Sequence, residues 1–234
     1  MILTKIQLLQ LTMKFKDKIL IFFFLSIFFL TEVNAKSLKL EQIDNNNLNY
    51  LYDFETFVSK EIINIVIEIP KGTKEKWEVS KINGKLEKDF FMGKPRVIQF
   101  NPYPVNYGTI PKTVLPRNIG GDGDPLDVIL IGGQLIRGQV VEGKIIGLLK
   151  FLDFGEYDDK IVAVPLNAEF ENINNIEDLI NVKEKYNLKS IINWFTEYKG
   201  ENIVTYYGYS NKEQAIKKVL LSNKYFNRYG IKKR

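Results

Sequence analysis

Gly120-Gly121-Asp122-Gly123-Asp124-Pro125-Leu126-Asp127 runs without a break into Val128-Ile129-Leu130-Ile131. It reads as an acidic loop that ends in a strand. The glycines let the backbone turn sharply or approach a ligand closely. Pro125 fixes its own φ and pushes Asp124 toward an extended conformation. Asp122 and Asp124 then tend to point the same way, and Asp127 sits where the strand begins. Three like charges held this close repel one another unless a cation or a proton joins them. Hard oxygen ligands of this kind suit Mg²⁺, Mn²⁺ or Ca²⁺. Turn formation by Asp and Gly accounts equally well for the segment taken alone. An EF-hand loop is excluded, because its third ligand and invariant glycine would fall on Leu126 and Asp127.

Outward from this loop the chain reads as short strands. Upstream, Ile62 to Ile69 is dense in β-branched residues and ends at Pro70. Lys74–Ile82 and Lys85–Phe91 flank Asn83-Gly84, a strong hairpin signal. Arg96–Phe100 reads as a further strand, followed by a turn-rich stretch through Pro102, Pro104, Gly108, Pro111 and Pro116. Downstream, Gln139–Val141, Lys144–Leu152 and Lys160–Val164 continue the β pattern between glycines. Then the character changes. Ile176–Tyr186 and Leu188–Lys199 have helical spacing, with Leu188, Ile191, Ile192 and Phe195 on one face. Asn202–Tyr207 is a last strand, and Ser210-Asn211-Lys212-Glu213 is a capping box that opens a helix ending at Gly230. About seven strands with turns between them, then helices, predict a closed all-β arrangement with helices packed outside.

Composition narrows the chemistry. The 234 residues leave room for one domain with a real core, and 45% hydrophobic content is that of a globular protein. There is no Cys and no His. Disulfides, thiolate chemistry, imidazole ligands and the Ser-His triad are therefore excluded. Catalysis would have to run on carboxylates, Lys, Arg, Tyr, hydroxyls and metals. Lys14, Lys16 and Lys18 precede the apolar run Ile19–Leu30, and Val33-Asn34-Ala35 follows. That pattern predicts a secretory signal peptide over residues 1–35, cut after Ala35, and a secreted or periplasmic mature chain over 36–234. The run is shorter than the ~20 residues of a membrane-spanning helix, so an uncut anchor is the lesser alternative. Residues 1–35 carry four Lys against Asp17 and Glu32, a net +2, which leaves +3 of the chain's +5 on the mature part. That is too mild to argue for nucleic acid.

Further constellations lie on either side of the acidic loop. Asp153-Phe154-Gly155-Glu156-Tyr157-Asp158-Asp159-Lys160 joins two strands, and Asp158 and Lys160, two apart, face one side. Lys76-Trp77-Glu78 places a cation and a carboxylate on one strand face. Glu68 lies inside an Ile-rich strand, where period-2 alternation allows it simply to face solvent. Tyr103-Pro104-Val105-Asn106-Tyr107-Gly108 packs two phenols and an amide into a rigid turn. Phenol hydroxyls donate to phosphate oxygens without adding charge. Tyr198-Lys199 ends a helix, where a lysine also relieves the helix dipole.

The order of these pieces is decisive. Pro-x-Asn-Tyr-Gly, then Asp-Gly-Asp-Pro-Leu-Asp, then Asp-x4-Asp-x-Lys, then Tyr-Lys, preceded by Val66-Ile67-Glu68-Ile69-Pro70 and Lys76-Trp77-Glu78, resembles the family I soluble inorganic pyrophosphatases. The resemblance runs from about Ile65 to Lys199. It implies an OB-like closed five-stranded barrel with a hairpin and C-terminal helices. It also implies Mg²⁺-dependent hydrolysis of pyrophosphate to two phosphates by metal-activated water, with Mn²⁺ as a substitute ion. Metal ligands would be Asp122, Asp127, Asp153 and Asp158, with Glu68 and Glu78 as outer or substrate-bridged ligands. Asp124 would take a proton from the attacking water. Lys76, Tyr107, Lys160, Tyr198 and Lys199 would hold the phosphates, with Tyr103 lining the site. Bacterial relatives assemble as oligomers, so a homo-oligomer is expected, with no membrane or nucleic-acid partner.

One position departs from the pattern. Counted from Gly84, the family's phosphate-binding arginine falls on Phe90, which has no donor. Lys88, Lys94 or Arg96 would have to reach in instead, and reduced turnover is expected. The alternative is a degenerate relative that binds metal-phosphate ligands with little or no turnover.

Overall fold

The computed structural model describes residues 48–181 and 186–230. The chain divides between Asn45 and Asn46, and everything described falls in the second unit. The expected signal peptide over 1–35 and the mature start at Lys36 lie outside the described residues.

Among the described residues, eleven strands and three α-helices follow in order. They are β1 (Ile62–Ile69), β2 (Trp77–Val79), β3 (Leu86–Lys88), β4 (Phe90–Phe91), β5 (Lys94–Pro95), β6 (Asn106–Thr109), β7 (Asp127–Leu130), β8 (Val140–Asp153), β9 (Glu156–Tyr157), β10 (Lys160–Pro165), α1 (Ile176–Asn181), α2 (Leu188–Glu197), β11 (Val204–Ser210) and α3 (Lys212–Tyr229). In the main sheet the order is β1-β6-β7-β10-β8, and β1 pairs with β8 as well, so five strands close into a ring. Closure leaves these five without a free edge. β11 and β9 add to β8 outside the ring, while β2–β3 and β4–β5 are separate two-stranded hairpins. This is the closed five-stranded arrangement with C-terminal helices expected from the sequence.

The strands' two faces have different fates. Ile65 of β1, Leu130 of β7 and Ala163 of β10 converge on Gly143, where an added Cβ would meet all three. β1 pairs with neither β7 nor β10, so these side chains meet across the ring's interior, with Ala215, Ile216 and Val219 of α3 in the same cluster. The alternate residues Ile129, Leu149, Phe151 and Val162 point outward and pack with Ile191, Trp194 and Phe195 of α2 and with α1. Each such fully buried aliphatic or aromatic side chain contributes roughly 1.5–3 kcal/mol.

Several sequence expectations change in detail. The hairpin at Asn83-Gly84 forms, but its strands shrink to three residues each, because residues 80–85 make a wider turn closed by Gly84 N–H to Ser80 O (2.7 Å) and Ser80 N–H to Lys85 O (2.7 Å). Arg96–Phe100 is not a strand; the chain instead spends Phe90–Pro95 on a small hairpin. The two segments read around Gly143 are one fourteen-residue strand, since Gly143 pairs with Ile63 on one side and Pro165 on the other. The cap of α3 is Asn211, whose side chain accepts from the Gln214 N–H at 3.0 Å, because Ser210 is still paired to Leu148 in β11.

Candidate active site

Strand parity builds the site. Asp127 shares the outward face of β7 with Ile129, Lys160 that of β10 with Val162, and Asp153 that of β8 with Phe151. Tyr107 of β6 pairs with Ile129 and faces the same way. Four strands thus end in polar groups at one rim of the outer core. The acidic loop is held against this rim by its backbone. Gly123, at φ +88°, donates its N–H to Leu115 O (3.0 Å), and a Cβ on Gly121 would lie 1.9 Å from that same oxygen. Within the loop the Asp124 N–H donates to Asp122 Oδ1 at 2.8 Å.

Glu68 arrives by a different device. The pairing of β1 with β6 jumps from Ile67 opposite Gly108 to Ile69 opposite Tyr107, so Glu68 is an extra, bulged residue. A bulge re-aims one side chain out of the alternation. Glu68 is accordingly buried, and its Oε1 accepts the Val79 N–H at 2.7 Å. That bond ties the β2–β3 hairpin, with Lys76 just before it and Glu78 within it, to the ring.

All thirteen residues singled out from the sequence line one cleft of about 260 Å³: Glu68, Lys76, Glu78, Tyr103, Tyr107, Asp122, Asp124, Asp127, Asp153, Asp158, Lys160, Tyr198 and Lys199. Lys160 is its fixed centre. Only 4% exposed, its ammonium donates to Asp127, Asp158 and the Tyr107 hydroxyl, each at 2.9 Å. Burial opposes its charge, yet Asp127 and Asp158 raise its pKa well above the ordinary lysine value. Lys199 pairs with Asp153 Oδ2. Behind them Tyr103, Trp194 and Tyr198 pack face to face or tilted, with ring centroids 4.4 and 4.8 Å apart. Burial pushes the Tyr103, Tyr107 and Tyr198 hydroxyls up, so they remain proton donors at neutral pH.

The lysines leave negative charge uncompensated. Burial, with the charges of Asp127 and Asp124, pushes Asp122 up to about 6. Burial raises Asp158 as well, against Lys160 and with Asp127. It raises Glu68 and Glu78 too. Asp153 Oδ1 is buried with no hydrogen-bond partner among the described residues. An all-oxygen donor set with an orphaned carboxylate oxygen fits a hard divalent cation. Among the described residues no three acids are already drawn up around a single ion position. Ammonium groups sit between them instead.

Sequence reasoning passed over one charged residue of the lining and looked for another cation at Phe90. Lys81 lines the cleft and pairs with Asp124; it stands in the hairpin turn, where a lysine reads as solvated. Phe90 is not in the cleft. It lies 58% exposed on the β4–β5 hairpin beside Phe91 and Met92. That hairpin turns the chain back and leaves Arg96 beside the cleft, which it does not line. The Arg96 guanidinium bonds Asp89 (3.1 Å), which also pairs with Lys76 (3.3 Å), and its charge is felt at the Tyr103 and Tyr198 hydroxyls.

With the geometry in hand, comparison with known proteins is unambiguous. The model of the inorganic pyrophosphatase family matches residues 65–227. The chain belongs to the inorganic pyrophosphatase family. The match begins in β1 and ends in α3, so it takes in the ring and every cleft residue. The inorganic pyrophosphatase of Gluconobacter oxydans is 34% identical over 165 residues, 68% of this chain and 87% of that one. That of Halalkalibacterium halodurans is 34% identical over 176 residues, 74% and 98% of the two chains. The solved inorganic pyrophosphatase of Helicobacter pylori superposes with a TM-score of 0.63 at 31% identity, covering 75% of this chain and 99% of its own.

Proposed function

We propose that this chain, an inorganic diphosphatase by family, hydrolyses pyrophosphate to two phosphates in the cleft, with Mg²⁺ as its metal and Mn²⁺ as a substitute. The observation that carries the reading is the convergence of all thirteen residues on one cleft in which carboxylates outnumber the cations that neutralise them.

Asp122, Asp127, Asp153 and Asp158 would hold the ions, with Glu68 and Glu78 further out, and ions bound there neutralise the diphosphate and acidify water. The chain's own groups do the rest. Asp124 takes the proton from the attacking water. Lys76, Lys160, Lys199 and Arg96 offset the charge that spreads over the phosphoryl oxygens in the transition state. The Tyr107 and Tyr198 hydroxyls, protonated because they are buried, donate to phosphate oxygens without adding charge. Tyr103 shapes the wall. The nucleophile is read as water, so no covalent intermediate is invoked. The degenerate, non-catalytic alternative rested on Phe90, and the match to the inorganic pyrophosphatase family over residues 65–227 does not favour it.

The mature chain is further proposed to be secreted or periplasmic, on the strength of the pattern in residues 1–35, and to form a homo-oligomer, as bacterial relatives do. The test of function is phosphate release from pyrophosphate by residues 36–234, with and without Mg²⁺, beside Asp124→Asn. Mg²⁺-dependent release that collapses in the variant is expected. Equal release without metal, or none with it, contradicts the reading.

A further inference from the structure

The β2–β3 hairpin stands apart from the ring, in a two-stranded sheet of its own. It is held to the rest by Val79 N–H to Glu68 Oε1 (2.7 Å), by Tyr50 N–H to Gly84 O (2.8 Å), by the packing of Val79 and Leu86 with Tyr50, Leu51 and Val66, and by Arg137 over the Trp77 ring. A further connection crosses the cleft. From the hairpin's turn Lys81 reaches the acidic loop on the opposite wall and pairs with Asp124. The two side chains are 39% and 46% exposed. An ion pair that open is weak and easily exchanged. Lys160 makes the contrast: at 5% side-chain exposure with three partners, it cannot leave.

Asp124 is also the carboxylate that the proposed mechanism needs free to accept a proton. Its neighbours Asp122 and Asp127 are where divalent charge would arrive. A lysine ammonium on Asp124 therefore does two things: it blankets the base, and it repels an incoming cation at short range.

We propose that Lys81 is a built-in counter-ion and latch. In the metal-free protein it occupies Asp124 and draws the 77–88 hairpin onto the acidic loop, and it is displaced when divalent ions enter. Lys81 is in this sense a positioning residue that acts through Asp124. The inference rests on the reading of the cleft as a divalent-metal site, and the test separates the two.

The measurement is Mn²⁺ binding without substrate, followed by electron paramagnetic resonance, on wild type, Lys81→Met, Lys81→Gln, Lys81→Arg and the control Lys85→Met. Lys85 is exposed on the same hairpin and does not line the cleft. Loss of one nearby positive charge should tighten Mn²⁺ binding about 3–10-fold in the Met and Gln variants, an order set by partly screened Coulomb repulsion. Lys81→Arg and Lys85→Met should bind as wild type does. Amide exchange over residues 80–85 should be faster in metal-free Lys81→Met than in metal-free wild type, and Mg²⁺ should abolish that difference. Mn²⁺ affinity in Lys81→Met and Lys81→Gln equal to or weaker than wild type overturns the latch. So does an equal gain in Lys85→Met, which would mean a diffuse charge effect. If wild type itself binds no Mn²⁺, the metal reading of the cleft fails first.

Discussion

At the scale of single residues, the cleft separates groups by how tightly they are held. Lys160 is locked between Asp127 and Asp158, and Lys81 and Asp124 face each other in the open. Removing the base by Asp124→Asn should lower kcat by roughly 10²–10⁴-fold, the range of general base catalysis. Arg96 presents a planar fork that a lysine cannot reproduce. Arg96→Lys should therefore lower kcat/KM about tenfold, whereas Phe90→Arg, at an exposed hairpin position, should leave it unchanged. A rise in Phe90→Arg would instead mean that residue 90 reaches the phosphates. Asp122 supplies a pH prediction. Burial pushes its carboxyl up to about 6, above the ordinary aspartate value, so the folded metal-free protein holds the proton more tightly than the unfolded chain. That contribution is present below the lower value and lost as pH rises through the higher one. At pH 7.5 the charged Asp122 is then a net cost, and Asp122→Asn should raise the Tm of metal-free protein by roughly 3–6 °C. The same substitution should shrink the Tm gain on adding Mg²⁺, which differential scanning calorimetry reads directly.

At the scale of elements, the site depends on where strands depart from regularity. The bulge in β1 is what turns Glu68 inward to accept the Val79 N–H. Glu68→Ala would leave that amide without its buried acceptor, a loss of about 1–3 kcal/mol, and should speed exchange of the Val79 amide specifically. Unchanged exchange there would mean the bulge does not hold the hairpin. The bulge was not legible in the sequence, because a register shift is a property of the pair β1–β6 and the alternation of Ile residues around Glu68 looks regular. The same holds for Gly143, which reads as a break but lies mid-strand because β1 and β10 satisfy it from both sides. Arg96 was obscured by the β4–β5 hairpin, since counting along the chain assumes no extra turn between the anchor and the target. What could be read were local patterns whose physics is local. The acidic loop, the Asp158–Lys160 pairing across two residues and the buried apolar stripe of α2 all follow from backbone periodicity alone.

For the whole molecule, a closed ring leaves its outer face free to carry both a core and a site. Helices α1 and α2 take the apolar part, and the polar ends of four strands take the rest. Fold class was accessible from the sequence because strand count, turn residues and late helices all agree. The convergence of residues from Glu68 to Lys199 was accessible only through motif order. The concentration of acid in one cleft predicts that the folded protein is stabilised by its ions. Saturation to 100 times the dissociation constant is worth about 2.7 kcal/mol, so chelation with EDTA should both abolish phosphate release and lower Tm. The most direct measurement is the anomalous diffraction of Mn²⁺ in crystals grown with a non-hydrolysable diphosphate. Peaks among Asp122, Asp127, Asp153 and Asp158, bridged by the diphosphate, are the predicted result; Mn²⁺ absent from that cleft, or bound only elsewhere on the surface, would contradict it.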